Sequence, residues 1–194
     1  MRQKVGNDFS IGLKINSSDF TPNGFSESDS ITVIKKMSEL GVDLIEISGE
    51  NYENPTMLNN HGGAFFIQYA AKVKKEIKAP IIVTGGFRSI KGMESALEND
   101  ETELVGVARA LALVPNLPNL AAKNQFSSIN LDYLSTGFKK FGRKISSLIG
   151  LTYYEMQMHR LAQGKSVKRT KNTWIPLMFA FKKQGISFML PRRS

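Results

Sequence analysis

Residues 81–88 read IIVTGGFR, a β-branched run introduced by Pro80, closed by two glycines and an arginine, and followed by a helix-like segment at 90–98. A hydrophobic strand that ends this way is a phosphate-binding pattern. Glycine lets the backbone approach an anion closely, N–H groups at a helix start donate to it, and a guanidinium supplies charge. One strand later LVGVAR, residues 104–109, repeats the arrangement. The pattern alone leaves a plainer reading open, a tight turn at Gly85-Gly86 with solvated arginines.

Towards the N-terminus, VDLIEIS at 42–48 and IGLKIN at 11–16 are two further strand-like runs. In the second, Ile11, Leu13 and Ile15 share one face, and Gly12, Lys14 and Asn16 the other. Helical patterns separate the runs. One covers 29–40, with Ser28 as the expected N-cap and Gly41 as the stop. Another covers 64–78, where Phe66, Tyr69, Ala70, Val73 and Ile77 recur every three or four positions. Strands alternating with helices imply βαβ units and parallel pairing, because parallel strands need a long crossover. Four strands are half the count of a (β/α)₈ barrel, or a small open sheet. A complete barrel needs about 250 residues, and this sequence has 194. In such barrels the loops after the last two strands frequently form a phosphate site, and the two glycine–arginine strand ends fit it.

With 41% hydrophobic and 22% charged residues, the chain suits one globular domain with an appendage rather than disorder. Cysteine is absent, which excludes disulfides, thiolate metal sites and thiol nucleophiles. The two histidines, His61 and His159, are too far apart in sequence to suggest zinc, so no metal is expected. No run approaches the roughly 18 apolar residues of a membrane span. The start, MRQKVGNDFS, lacks the apolar core of a secretory signal, and a cytoplasmic location is expected.

The net charge of +9 is uneven. Residues 1–122 hold 12 Lys/Arg against 15 Asp/Glu, and residues 123–194 hold 14 against 2. We therefore read 1–122 as the βα region and 123–194 as a basic tail. In the tail, 126–134 is loop-like, 137–149 weakly amphipathic, 151–163 helical, 164–172 a basic exposed linker, and 174–183 a short apolar stretch. A basic surface with aromatics raises the alternative of a binding module for nucleic acid or an acidic partner. The basic residues are dispersed and no recognition motif is present, so nucleic acid is not the expected partner.

Lys14 stands inside an otherwise apolar strand, which is costly unless the ammonium is paired or faces a ligand. Two compatible readings are open: Lys14 points with Asn16 toward a polar cofactor edge inside a barrel, or it pairs with Glu46 on the next strand. Glu46 is then half of that ion pair, the commoner case, or a general base. His61, in the loop NNHGG, reads as a surface residue, and His159 has no candidate partner nearby. Ser17 and Ser18 read as loop caps, since no Ser/His/Asp arrangement can be traced. Tyr52 and Phe87 either flank a flat ring ligand or simply pack. No residue is assigned a catalytic role.

The stretches GLKINSSDF (12–20), GFSESDS (24–30), GVDLIEISGENYE (41–53), FFIQYAAKVKKEIKAPIIVTGGFRS (65–89) and LVGVARAL (104–111), in this order, resemble the old yellow enzyme family. These are FMN-dependent NADH:flavin oxidoreductases and NADH oxidases that fold as a (β/α)₈ barrel. The resemblance runs from about Gly12 to Leu120. TYYEMQMHRLAQGK (152–165), with Tyr154, Gln157 and Arg160, is also similar to a C-terminal helix of some members.

The resemblance implies an α/β fold: half a TIM barrel, strands five to eight, with a basic helical C-terminal extension. It places Lys14 beside the pyrimidine edge of FMN, where a cation stabilises the charge of the reduced ring. Gly86 and Phe87, with Gly85 ahead of them, fall at the phosphate turn after the seventh strand, and Ala108 and Arg109 at the grip on the same phosphate after the eighth. The implied reaction passes hydride from NAD(P)H through FMN to an electrophilic small-molecule acceptor such as an enone or a quinone. The family's acceptor-binding histidines and tyrosine proton donor belong to strands one to four, outside this sequence. An N-terminal half-barrel partner or self-association is expected to complete the barrel, because a half-barrel exposes two sheet edges; the alternative is a catalytically inactive remnant. The chain departs from the family pattern at Asn23, Glu50, Gly62-Gly63 and Ala110, where glycine, glycine, Arg-Glu and proline are usual.

Overall fold

The computed structural model describes residues 1–49, 66–131, 134 and 142–185, the side chains of 142–147 and 184 aside. The expectations for Glu50, Tyr52, His61, Gly62-Gly63 and Phe65 lie outside the described residues. In chain order the elements are α1 (Arg2–Val5), β1 (Gly12–Asn16), α2 (Glu27–Glu39), β2 (Leu44–Ser48), α3 (Ile67–Lys74), β3 (Ile81–Thr84), α4 (Ile90–Glu98), β4 (Leu104–Gly106), α5 (Arg109–Leu113), α6 (Leu117–Ala122), α7 (Gly142–Ala162) and α8 (Trp174–Gln184). By packing the chain divides into two units, Met1–Ala108 with Pro118–Ile129, and Arg109–Leu117 with Asn130–Ser194. Packing and charge thus divide the chain at different places.

The first unit is a four-stranded parallel sheet in the order β1-β2-β3-β4, a parallel α/β arrangement consistent with part of a barrel. Its register is unbroken: Lys14 lies opposite Glu46, Glu46 opposite Ile82, and Thr84 opposite Gly106. Parity then sorts the side chains. On one face Ile45, Ile47, Ile81 and Val83 are fully buried against Ile34 of α2, Tyr69, Ala70 and Val73 of α3, and Ala96 of α4. The other face carries Gly12, Lys14, Asn16, Leu44, Glu46, Ser48, Ile82, Thr84, Leu104 and Gly106, all half-buried or exposed.

Helix α2 starts earlier than the Ser28 cap predicts. Ser26 is the cap, because Asp29 completes a reciprocal box: the Asp29 N–H donates to Ser26 Oγ (3.2 Å) and the Ser26 N–H to Asp29 Oδ2 (2.9 Å). Gly41, at φ 81°, stops the helix as expected. Helix α3 ends at Lys74 rather than 78, where the Glu76 N–H closes a turn on the Val73 carbonyl (2.9 Å). β4 ends at Gly106 rather than Ala108, because α5 begins at Arg109 and Val107-Ala108 must make the corner.

Ion pairs tie the N-terminal ends of the strands. The Asp43 carboxylate accepts the Ile11 N–H (2.7 Å) and the Arg2 guanidinium (2.5 Å), which hold its carboxyl below the usual carboxylate range. Glu103 accepts the Ile81 N–H (2.7 Å) and Lys74 Nζ (2.8 Å). Bonds first to Asp100 and then to Glu103 push the Lys74 ammonium above its ordinary value.

In the second unit, α5 and α8 both pack on α7. The stretches expected at 137–149 and 151–163 run together as α7 over their described part. It buries Ile149, Tyr153 and Gln157 completely. Gln157 holds the basic linker in place, its amide donating to the Lys168 carbonyl (3.0 Å) and its carbonyl accepting the Lys168 N–H (2.9 Å). His159 does have partners: Lys183 Nζ lies 3.3 Å from Nδ1 and Gln163 Nε2 2.9 Å from Nε2. Lys183 stands 24 residues away in sequence, which is why that contact was not legible. Among the described residues no helix is long and apolar enough to cross a membrane.

The two sheet faces make opposite demands on stability. Ile47→Ala, at a fully buried position, is expected to cost about 2–5 kcal/mol in urea unfolding. Leu104→Ala, on the open face at 48% exposure, is expected to cost under about 1 kcal/mol. Equal losses would contradict the assignment of faces.

Candidate functional site

The C-terminal ends of β3 and β4 lie side by side, and the Gly85 N–H donates across them to the Gly106 carbonyl (3.3 Å). Gly85 and Gly86 follow at φ 114° and 87°, a backbone conformation that a Cβ disfavours. With the Gly85 amide given to the sheet, the amides this turn offers are those of Gly86 and Phe87. What comes next pins the turn. The Phe87 ring is buried in the core of the first unit at 6% exposure. Ser89 and Ser128 form an antiparallel bridge, with the Ile90 N–H on the Ser127 carbonyl (2.9 Å) and the Ile129 N–H on the Arg88 carbonyl (2.8 Å). Ser89 then caps α4 by accepting the Gly92 N–H (3.1 Å). Phe87 therefore serves as a packing anchor that fixes its own amide, which decides between the two readings of its ring.

On the open face a polar row, Lys14, Glu46 and Thr84, runs across β1, β2 and β3 and meets Gly106 on β4. Lys14 Nζ donates to Glu46 Oε1 at 2.5 Å, and Thr84, on the neighbouring strand and the same face, helps keep that carboxylate ionised. A Cβ on Gly106 would sit 1.9 Å from Thr84 Oγ1, so only glycine leaves Thr84 its place. Burial raises the Glu46 carboxyl, but the bonds from Lys14 and Thr84 and the Lys14 charge outweigh it and hold the group below its ordinary value. The ion-pair reading of Lys14 thus holds, and Lys14, at 62% exposure, still stands on the face away from the core.

The chain matches the NADH:flavin oxidoreductase / NADH oxidase family over residues 1–127. It belongs to that family. It is 33% identical over 133 residues to the NADH-dependent flavin oxidoreductase iliE of Neonectria sp. (strain DH2), covering 61% of this chain and 17% of the relative. The chain spans well under half the length of the curated relatives it matches. Among solved structures it is similar in fold to a 2-naphthoyl-CoA reductase complex, with a TM-score of 0.59 and 21% identity over 64% of this chain and 19% of that one. It is also similar to histamine dehydrogenase from Rhizobium sp. 4-9, with a TM-score of 0.59 and 16% identity over 91% of this chain and 23% of that one.

The residues present suit the FMN of this flavin oxidoreductase family. Consecutive left-handed glycines bring backbone amides to a strand end, and the open face beside them is polar and carries a cation. Ala108 is exposed at the end of the first unit, and Arg109 is half-buried as the first residue of α5. Asn23, where the family commonly has glycine, sits at φ 59°, a conformation asparagine tolerates.

Sequence reasoning missed how the end of β1 is built. Ser18 is a cap, accepting the Phe20 N–H (2.9 Å). Ser17, expected to be one, is instead buried, its N–H on the Ser48 carbonyl (2.8 Å). A Cβ on Gly49 would lie 2.8 Å from the Phe66 ring and 3.0 Å from Ser17 Oγ, so glycine is required there for space. The Ser30 hydroxyl donates to the Asn16 carbonyl (2.9 Å) and accepts from Tyr69 OH (2.7 Å). Burial pushes the Tyr69 phenol up. The only hints in sequence were small residues clustered at strand ends.

The lowered Glu46 carboxyl sets a pH signature. Its contribution is present above the ordinary glutamate range and lost as pH falls through the depressed folded value. Glu46→Gln should therefore lower stability to urea at pH 7, and the difference from wild type should shrink as pH falls below about 4. A difference independent of pH would mean that only packing was lost.

Proposed function

We propose that this chain forms the part of an FMN-dependent NAD(P)H oxidoreductase that holds the phosphate and pyrimidine edge of the cofactor, its strands being the fifth to eighth of a (β/α)₈ barrel. The observation that carries this reading is the Gly85-Gly86 turn beside Gly106, at the end of the sheet where such barrels bind phosphate. The amides of Gly86 and Phe87 bind the phosphate, Arg109 adds charge to that grip with Ala108 beside it, and Lys14 faces the ring. When bound, FMN supplies hydride chemistry between NAD(P)H and an electrophilic small-molecule acceptor such as an enone or a quinone. Four strands close no barrel. Turnover then requires four more, from the remainder of a longer polypeptide, a partner chain or a second copy. In the basic region, Arg160 and Arg169 donate to the main-chain carbonyls of Ser166 (2.9 Å) and Asn130 (2.6 Å). That use favours a structural role for these charges over nucleic-acid binding.

Titration with FMN, followed by fluorescence quenching, tests the reading. Wild-type protein is expected to bind FMN saturably and much more tightly than riboflavin, which lacks the phosphate. Gly86→Ala should remove most of that preference. Arg109→Ala should weaken FMN about tenfold, the loss of one charge-assisted contact. Gly41→Ala, at another left-handed glycine (φ 81°) near the opposite, N-terminal end of the strands, should leave binding unchanged. Equal binding of FMN and riboflavin would refute the phosphate site.

A further inference from the structure

We propose that Glu46, with Thr84 and Gly106 on the strands beyond it, positions the Lys14 ammonium and offsets its charge, and so sets how strongly this site favours reduced over oxidised FMN. The inference rests on the flavin reading above; it adds Glu46, which lies outside the two glycine–arginine stretches, and gives Thr84 and Gly106 a role beyond the phosphate turn. Glu46, Thr84 and Gly106 are positioning residues; none of them need touch the ring.

Lysine has a flexible four-carbon stem, and fixing it takes a partner. Lys14 is 62% exposed, and what fixes it is the Glu46 carboxylate at 2.5 Å, on a side chain only 28% exposed. Thr84 stands on the same face two residues beyond Ile82, the register partner of Glu46, and helps keep the carboxylate ionised. Thr84 keeps its rotamer because the facing residue on β4 has no Cβ: one at Gly106 would come within 1.9 Å of Oγ1, 2.8 Å of Cβ and 3.0 Å of Cα. The four residues come from four strands and meet only through the register. An uncompensated lysine beside the pyrimidine edge would strongly favour the negative charge that arrives with reduction. A lysine already facing a carboxylate presents a nearly neutral pair, so the preference for the reduced form is moderated.

The full chain and its Glu46→Gln and Thr84→Val variants test this with two readouts. Without cofactor, acetylation of Lys14 followed by mass spectrometry should be severalfold faster in both variants than in wild type. Lys36, in an exposed pair with Glu39 at 3.1 Å, serves as the internal control and should not change. With cofactor, dissociation constants for oxidised and dithionite-reduced FMN should show Glu46→Gln favouring the reduced form about tenfold more than wild type. For a two-electron couple that is a rise of about 30 mV in midpoint potential. Equal Lys14 labelling in wild type and Glu46→Gln overturns the positioning network. An unchanged ratio of the two constants overturns its effect on the flavin. Wild-type protein that binds no FMN overturns the flavin reading and this inference with it, yet leaves the labelling difference in place, so the two failures are told apart.

Discussion

An in-register parallel sheet has a single parity, and here everything functional depends on it. The same alternation that sends Ile45, Ile47, Ile81 and Val83 into the helix-covered core sends Lys14, Glu46, Thr84 and Gly106 to the opposite face. A slip of one residue in β1 or β2 would turn Lys14 or Glu46 into the core and expose an isoleucine. Hydrophobic burial on one face is therefore what holds the polar row together on the other. The ion pair between Lys14 and Glu46 follows from the register; a half-exposed pair of this kind contributes too little to create it.

The two ends of the strands are built for different tasks. At the N-terminal end, carboxylates accept backbone N–H groups and neighbouring cations, as Asp43 does for Ile11 and Arg2 and Glu103 for Ile81 and Lys74. These contacts clamp strand to strand. The C-terminal end carries glycines at 49, 85, 86 and 106, where space or backbone conformation excludes a side chain. Its rigidity comes from behind, through the buried Phe87 ring, the Ser89–Ser128 bridge and the Tyr69–Ser30–Asn16 chain of hydrogen bonds. A turn held in this way keeps its amides fixed without spending side chains on the task.

Much of this was legible in the sequence, for local reasons. Pro80, Gly85 and Ser89 punctuate the chain so firmly that β3 and α4 fall where the pattern puts them, at Ile81–Thr84 and Ile90–Glu98. The alternation in 11–16 was sufficient to place Lys14 opposite the core and to suggest Glu46 as its partner. What could not be read depends on distance. The start of α2 was decided by Asp29 reaching back to Ser26, a choice between two serines that composition cannot make. The contact between Thr84 and Gly106 exists only once β3 and β4 are paired, and that between His159 and Lys183 only once two helices meet. The buried hydroxyl of Ser17 answers to Gly49 and Phe66, which no local pattern connects to it.

The central claim is that an anion-binding turn and a polar sheet face lie together at one end of the first unit. Backbone amide chemical shifts followed during addition of FMN test it most directly. The largest changes are expected at Gly86 and Phe87, with smaller ones along β1 and β2 around Lys14 and Glu46. Changes confined to the basic residues 165–171, with the glycine turn unmoved, would contradict it.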